Sequence, residues 1–427
     1  MSTKYELMND GDAKLTIEVD NKVFLECEDK VYSSQKSRFN IPGFRKGHAT
    51  KDMIWKLYGR EVFYEDAVNE CINKTYYDGV KEYKDNIISR PEISVVQVGS
   101  DKNFIYEALV AVKPDFKLAQ YKGIEVKKEK IEVTDEDIKK RIDIELEKNS
   151  RLVSVDRPVK DKDFVVLDFD GYQDGKRFDG GKSEGYTLEI GSRTFIDGFE
   201  DQLIGKEKEK PIDVNVTFPT NYGNKDLAGK PALFKCIIHE IKEKQMPEFN
   251  DEFVSEVSEY EKVDDYKKYI KGEIEKAKEV SSKANMKNSL IDKVVNDTKI
   301  DLTERAIKQG IDDIASNIDH RLRHQGMTFE DYLRAIGKTR EDWDKEQRDT
   351  AIGNIKRYIV LEEIAKVENI EAGDDLVDEY LENMSMQYGT TKEELKKGLT
   401  PSQIKNIKED MKYPAVGDFL YKNANIK

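Results

Sequence analysis

Residues Asp168–Gly181 read DFDGYQDGKRFDGG, and residues Thr194–Glu200 follow as TFIDGFE. Short apolar runs flank them: Phe164–Phe169, Tyr186–Ile190, Ile212–Thr217 and Leu233–Ile241. Gly and Asp turns separate these runs, which is the pattern of a β-rich domain. Ten aromatic residues fall between positions 151 and 245. The sheet therefore has either an aromatic core or an aromatic-lined pocket.

N-terminal to this region the pattern is mixed. Lys14–Val19 alternates apolar and polar residues and predicts a strand. Asp20 is placed to cap a helix from Asn21, with Val23, Cys27 and Val31 at four-residue spacing. A basic stretch, Arg38–Lys51 (RFNIPGFRKGHATK), follows. Its Pro42, Gly43 and Gly47 suit an exposed loop tip. Lys36, Arg38, Arg45, Lys46, Lys51, Lys56 and Arg60 are accompanied between positions 36 and 60 by one anion, Asp52, in a chain of net charge −14. A local excess of positive charge in an acidic protein suits a polyanion. Thr50 caps a short helix, Lys51–Tyr58. A longer helix is predicted over Glu61–Tyr83, with Val62, Ala67, Cys71 and Ile72 inward. Strands Ile93–Val98 and Phe104–Val112 close a small α+β domain near Lys113-Pro114.

Residues 115–150 read as a structured linker. Gly123–Val133 is extended, and Thr134-x-x-Asp137 resembles a capping box that opens a charged helix to about Asn149. From Pro247 onward the reading is helical. Tyr266, Ile270, Ile274, Ala277, Ser281 and Ala284 form one helical stripe, and Ile307, Ile311, Ile314, Ile318 and Leu322 another. Thr328, Thr339, Thr391 and Thr400 occupy N-cap positions, with Pro401 at the first helical position after Thr400. These helices are thinly apolar, which predicts extended arms rather than a compact ball.

Composition excludes several classes. No run approaches the ~18 apolar residues of a membrane helix, and MSTKYELMND has no apolar signal core. Cys27, Cys71 and Cys236 are odd in number and widely spaced, so neither a disulfide framework nor a metal knuckle is expected, which suits a reducing cytoplasm. No phosphate-binding glycine motif is present, so no nucleotide cycle and no cofactor is expected. His320 and His324 are spaced to share a helix face but lack a third ligand.

In order, Asp168-Phe169-Asp170-Gly171, Phe178-Asp179-Gly180-Gly181, Phe195-Ile196-Asp197-Gly198-Phe199, Phe218-Pro219-x-x-Tyr222-Gly223 and Ala232-Leu233-Phe234 resemble an FKBP-type peptidyl-prolyl isomerase. The resemblance implies that Phe199 is the pocket floor and that Phe169, Phe178 and Phe234 are walls. It implies that the Ile196 N–H and the Tyr222 hydroxyl hold peptide carbonyls, with Asp179 beside the amide and Phe195 in the same site. Together with Gly43-Phe44-Arg45-Lys46-Gly47, the order of segments resembles the trigger factor family, bacterial ribosome-bound chaperones. That resemblance implies four parts. Residues 1–113 would be a ribosome-binding domain, 114–150 a linker packed along the C-terminal domain, 151–245 an FKBP-type isomerase domain, and 246–427 a helical chaperone domain with arms. The expected fold is α+β multidomain: a small α+β N-terminal domain, an FKBP-like antiparallel sheet with a short helix, and an elongated all-α C-terminal domain. The implied partners are the ribosome (protein and rRNA near the exit tunnel) and nascent or unfolded polypeptides. No membrane is expected, and a homodimer is implied for the free protein. The implied location is the cytoplasm. The family usually has Lys where this chain has His48. Six of nine methionines follow residue 245 and suit a surface that accepts many partners. The alternative is a free prolyl isomerase whose helices only dimerise it.

Overall fold

The structure, a computed structural model, describes residues 1–42, 44–99, 101–128, 130–220, 222–224 and 226–427. The chain divides into two compact units. One is formed by Met1–Lys128 with Lys283–Lys427, the other by Glu129–Ser282.

The first unit opens with β1 (Ser2–Leu7) and β2 (Asp12–Val19), then α1 (Asn21–Gln35), α2 (Lys51–Tyr58) and α3 (Tyr64–Val80), then β3 (Glu92–Gln97) and β4 (Phe104–Ala111). The strands pair antiparallel in the order β1-β2-β4-β3. Strand alternation puts Leu15, Ile17, Val19, Phe104, Tyr106, Ala108 and Val110 on one fully buried face. Phe24, Cys27, Val31, Phe63, Ala67 and Cys71 cover it from the helices. Four details differ from the sequence reading. β1 was not expected, because the edge-strand sequence STKYEL carries charges that mask its period. Phe24, rather than Val23, is the buried residue of the first turn of α1. The predicted helix from Glu61 begins as a 3-10 turn, Arg60–Phe63, before α3. Asp20 and Thr50 stand at N-cap positions, but neither side chain accepts a capping bond.

Beyond β5 (Glu125–Val126) the chain enters the second unit. It holds α4 (Asp135–Lys148), β6 (Arg151–Ser154), β7 (Phe164–Gln173), β8 (Lys176–Glu189), α5 (Phe199–Leu203), β9 (Pro211–Thr217), β10 (Pro231–Gln245) and α6 (Asp251–Val257). Residue 282 lies within α7 (Val263–Asp297). The sheet is antiparallel in the order β6-β10-β7-β8, with β9 also on β10. β8 begins ten residues before the predicted Tyr186, because its first half, rich in Gly and charge, lacks an apolar alternation. The Thr134 capping box is present as predicted: Thr134 Oγ1 accepts from the Asp137 N–H, and the Asp137 carboxylate accepts from the Thr134 N–H. Ile142 of α4 then packs with Val254, Tyr266 and Ile270.

The remainder completes the first unit: α8 (Glu304–Arg323), α9 (Phe329–Ala335), α10 (Arg340–Val367), α11 (Asp374–Tyr388), α12 (Lys392–Gly398), α13 (Pro401–Lys422) and β11 (Asn425–Ile426). Thr328, Thr339, Thr391 and Thr400 all cap their helices, and Pro401 holds the first position of α13. β11 pairs in parallel with β5, the part of the predicted extended run Gly123–Val133 that is strand among the described residues. Ile124 joins Leu290, Val294, Ile359, Ile364 and Val416 in one core, with Phe116, Leu118 and Tyr121 against it. Residues 116–126 therefore pack on C-terminal helices. In α7 the buried stripe runs through Ser282, Met286, Leu290 and Val294, while Ala277, Ser281 and Ala284 are exposed. Arg305 of α8 pairs with Asp12 (2.9 Å) and Glu92 (2.6 Å), fastening the helices to the N-terminal sheet. Among the described residues no helix is long and apolar enough to cross a membrane.

Candidate functional site

β7, β8 and β10 each present one phenylalanine, Phe169, Phe178 and Phe234, towards a common cleft. Phe218 enters from the end of β9, and the loop before α5 adds Thr194, Phe195 and Ile196. Gly180, Pro219 and Tyr222 complete the rim. The cleft encloses about 390 Å³, within the range of small-molecule sites. The rings meet edge to face: Phe178–Phe234 at 5.7 Å and 86°, Phe169–Phe195 at 5.3 Å and 90°. Aromatic quadrupoles favour that arrangement, and it leaves ring faces open to a ligand. Two glycines make room for it. A Cβ on Gly171 would stand 2.5 Å from Phe178 Cζ, and one on Gly181 2.6 Å from Phe178 Cε2.

Six of the eight residues that the resemblance places in the site line this cleft: Phe169, Phe178, Phe195, Ile196, Tyr222 and Phe234. Phe199 lies one layer deeper. It is fully buried, stacked under Phe195 at 4.4 Å and set edge-on to Phe234 at 5.3 Å. Asp179 is exposed and outside the lining. Among the described residues, neither the Ile196 N–H nor the Tyr222 hydroxyl has a protein partner, so both are available to a peptide.

Sequence reasoning gave no role to Glu200, although it follows Phe199 in the motif. The residue is 6% exposed, and among the described residues its carboxylate makes no ion pair. Instead it accepts from the backbone N–H groups of Gly191 (2.8 Å), Arg193 (3.0 Å) and Phe195 (3.2 Å), and from Ser192 Oγ (3.3 Å). The loop that carries Phe195 and Ile196 is thus wound round one buried anion. No local signal separates it from Asp201 and Gln202 in the same short helix, Phe199–Leu203.

A larger cleft of about 730 Å³ lies along Tyr172, Asn215, Thr217, Leu233 and Lys235. Its single ring, Tyr172, is covered by Lys235 at 5.5 Å and Arg177 at 5.7 Å, so it offers no open aromatic wall. On the same sheet His239 Nε2 lies 2.9 Å from Asp168 and Nδ1 3.3 Å from Glu209. The Asp168 bond, then the Glu209 bond, raise the His239 pKa above its ordinary value. Burial pushes the Cys236 thiol up to about 12, so it is no nucleophile.

The basic loop is the second site. Ile41 and Ala49 anchor its two ends in the N-terminal core, and Tyr32 donates to the Ala49 carbonyl (2.8 Å). Between them Phe44 is 41% exposed, and Arg45 and Lys46 are exposed. The Phe44 N–H donates to Ile41 O (3.1 Å) and the His48 N–H to Arg45 O (2.9 Å), closing two turns. Gly47 has φ of 84°, which a side chain would strain. Gly43 lies outside the described residues. Of the seven cations between positions 36 and 60, Lys51 alone among the described residues is ion-paired, with Glu28 (2.9 Å) and Asp29 (2.6 Å).

Family models match along nearly the whole chain. Residues 1–145 match the bacterial trigger factor protein, residues 155–242 the FKBP-type peptidyl-prolyl cis-trans isomerase, and residues 262–422 the bacterial trigger factor C-terminus. Similar curated proteins include the trigger factor of Acetivibrio thermocellus, 40% identical over 427 residues and covering 100% of both chains. That of Agathobacter rectalis is 40% identical over 425 residues, 99% of this chain and 96% of its own. A solved structure of the trigger factor chaperone aligns over 99% of each chain at 21% identity, with a TM-score of 0.47.

Proposed function

This chain belongs to the bacterial trigger factor family and carries an FKBP-type peptidyl-prolyl cis-trans isomerase domain, and on that premise we propose that it is an ATP-independent chaperone that docks at the ribosomal exit tunnel. Docking is through Phe44, Arg45, Lys46 and the flanking Gly43 and Gly47. Nascent or unfolded chains are held on the helices of residues 246–427, where Met386, Tyr380 and Tyr388 of α11 are exposed. The division into 1–113, 114–150, 151–245 and 246–427 is part of the same proposal, as is a cytoplasmic location on the ribosome.

The observation that carries this reading is the condition of the loop tip. Its ring is uncovered and, among the described residues, its two cations have no internal carboxylate partner. An exposed ring next to two unpaired cations suits a partner that presents anionic groups beside an apolar groove.

The isomerase chemistry follows from the cleft. Amide resonance sets a barrier of ~18–20 kcal/mol to X-Pro rotation. No nucleophile is needed to lower it. The aromatic walls grip the proline ring and exclude water, so the amide loses the solvation that favours its planar, polar form. The Ile196 N–H and the Tyr222 hydroxyl hold the flanking carbonyls while the bond turns.

Co-sedimentation with ribosomes tests the docking. The triple variant Phe44→Ala, Arg45→Ala, Lys46→Ala should leave the ribosomal pellet while keeping its isomerase rate. A triple variant that sediments as the wild type does overturns the assignment.

A further inference from the structure

Resting on the isomerase reading of the cleft, we propose that Asp168 and His239 are positioning residues for its aromatic wall: one carboxylate ties together the two β-bulges that flank Phe169, and the wall is held while His239 is a cation and loosens when it is neutral.

β7 meets a bulge in each of its neighbours at adjacent positions. Towards β8 the register passes from Leu167↔Tyr186 to Phe169↔Ser183, so Glu184 and Gly185 stand against Asp168 alone. Towards β10 it passes from Ile238↔Leu167 to Glu240↔Val166, which leaves His239 as the extra residue. A bulge bends its strand and re-aims the side chains beside it. Here those side chains are Tyr186 and Phe169, which stand on either side of the β8 bulge and whose rings meet at 5.9 Å and 75°. Tyr186 also meets Phe195 at 5.4 Å and 70°, so this bulge orders three rings in contact.

Asp168 holds both bulges. One oxygen accepts from the Gly185 N–H (2.7 Å), where Gly185 takes φ of 62°, and the other lies 2.9 Å from His239 Nε2. The second ring nitrogen, Nδ1, is 3.3 Å from Glu209. Glu209 is itself at φ of 59°, which few residues with a side chain adopt, and its N–H donates to Ile238 O (2.7 Å) at the β10 bulge. Only the imidazolium has an N–H for each carboxylate; the neutral ring has one. Deprotonation therefore releases one of the two acids and slackens the tie. The other charges close by are engaged elsewhere. Lys182 of β8, near Asp168, pairs with Glu184 (2.6 Å), and Glu240, next to His239 on β10, pairs with Lys242 (2.6 Å). The Asp168 bond first, then the Glu209 bond, raises the His239 pKa, so the ring is charged below its usual value of about 6.5 and loses its proton only as pH rises through a higher one.

The experiment measures kcat/KM of the full chain on a short proline peptide by NMR exchange between its cis and trans signals. It runs from about pH 5.5 to about pH 9, at a temperature where calorimetry shows every variant folded. Exposed charge pairs are weak, so the wild type should lose about 2- to 5-fold across the alkaline arm. His239→Gln should be flat at the lower level. His239→Arg keeps donors for both carboxylates at every pH and should be flat at the higher level. A residue needed only for folding changes how much protein is folded, not the pH profile of the folded enzyme. A His239→Arg profile that falls as the wild type's does, or Gln and Arg variants equal at every pH, overturns the inference and leaves the cleft reading standing so long as Phe234→Ala is inactive. Phe234→Ala that turns over as the wild type does overturns the cleft reading itself.

Discussion

Glu200→Ala is the sharpest perturbation of the isomerase site. The wild-type carboxylate takes three backbone N–H groups and one hydroxyl in a site 6% exposed. Each buried N–H left without a partner costs about 1–3 kcal/mol. Gly191 and Arg193 stand at the surface, where water recovers part of this, so the low end applies. We expect a loss of about 3 kcal/mol from the second unit, a fall in its melting temperature of roughly 6–12 °C. The same loop sets Phe195 and Ile196 against the cleft. A shift of about 1 Å there should reduce kcat/KM up to about 100-fold. Glu200→Gln separates charge from shape. It keeps one acceptor oxygen but turns the other into a donor aimed at N–H groups, so it should fall between wild type and alanine in both measurements. The assays are calorimetry of the full chain and proline-limited refolding of an unfolded protein. If Glu200→Ala melts and turns over as the wild type does, the loop is held by something else and the reasoning fails.

Three further outcomes follow from the packing and the charges. Phe199→Ala should cost about 3–5 kcal/mol and abolish acceleration of proline-limited refolding, because the stack beneath Phe195 is lost; Phe199→Leu should keep the domain folded at low temperature yet still slow turnover. Lys51→Met leaves the fully buried Glu28 carboxylate without its cation and should destabilise the N-terminal domain by about 3–5 kcal/mol in urea unfolding, whereas Glu28→Gln/Lys51→Met should recover most of that loss. His239 is raised by Asp168 first and Glu209 second, so its contribution is complete below the usual histidine pKa of about 6.5 and disappears as pH rises through the higher folded value. Asp168 is lowered by the same bond, so its share is lost only as pH falls through the acid range. Thermal melts should therefore show the isomerase transition falling from neutral to alkaline pH, and His239→Gln should flatten that slope; an equal slope in the variant counts against the bridge.

How much of this was legible depended on whether a feature has a period. Alternation gave β2 and β4 nearly residue for residue, since a half-buried strand must show it. Thr-initiated caps gave the starts of α9, α10, α12 and α13, because a hydroxyl at that position satisfies an N–H that nothing else in the helix can. β1 and the first half of β8 were missed for the opposite reason: charged edge strands are chosen against alternation. The stripe of α7 was misplaced past Ile274 because Ala and Ser carry too little apolar surface to reveal which face they occupy, and Ser282 is buried where Ala284 was expected.

The cleft was legible in a different way. Its rings come from positions as far apart as Phe169 and Phe234, and no local period brings them together; only the order of motifs does. That order locates six side chains that line the cleft. It says little about what holds them. Glu200 is invisible to such a reading because its partners are backbone N–H groups, which every residue has. Lys51 misleads for the mirror reason, since it counts as positive in the sequence while its charge is already spent on Glu28 and Asp29. A buried anion therefore fixes the loop at one site, and another subtracts a cation from the face at the other. The net charge of residues 36–60 overstates what a ribosome would meet, and the aromatic motif understates what keeps its loop in place. Both errors have one source: sequence lists the charges a chain has, while function depends on which of them the fold leaves unpaired.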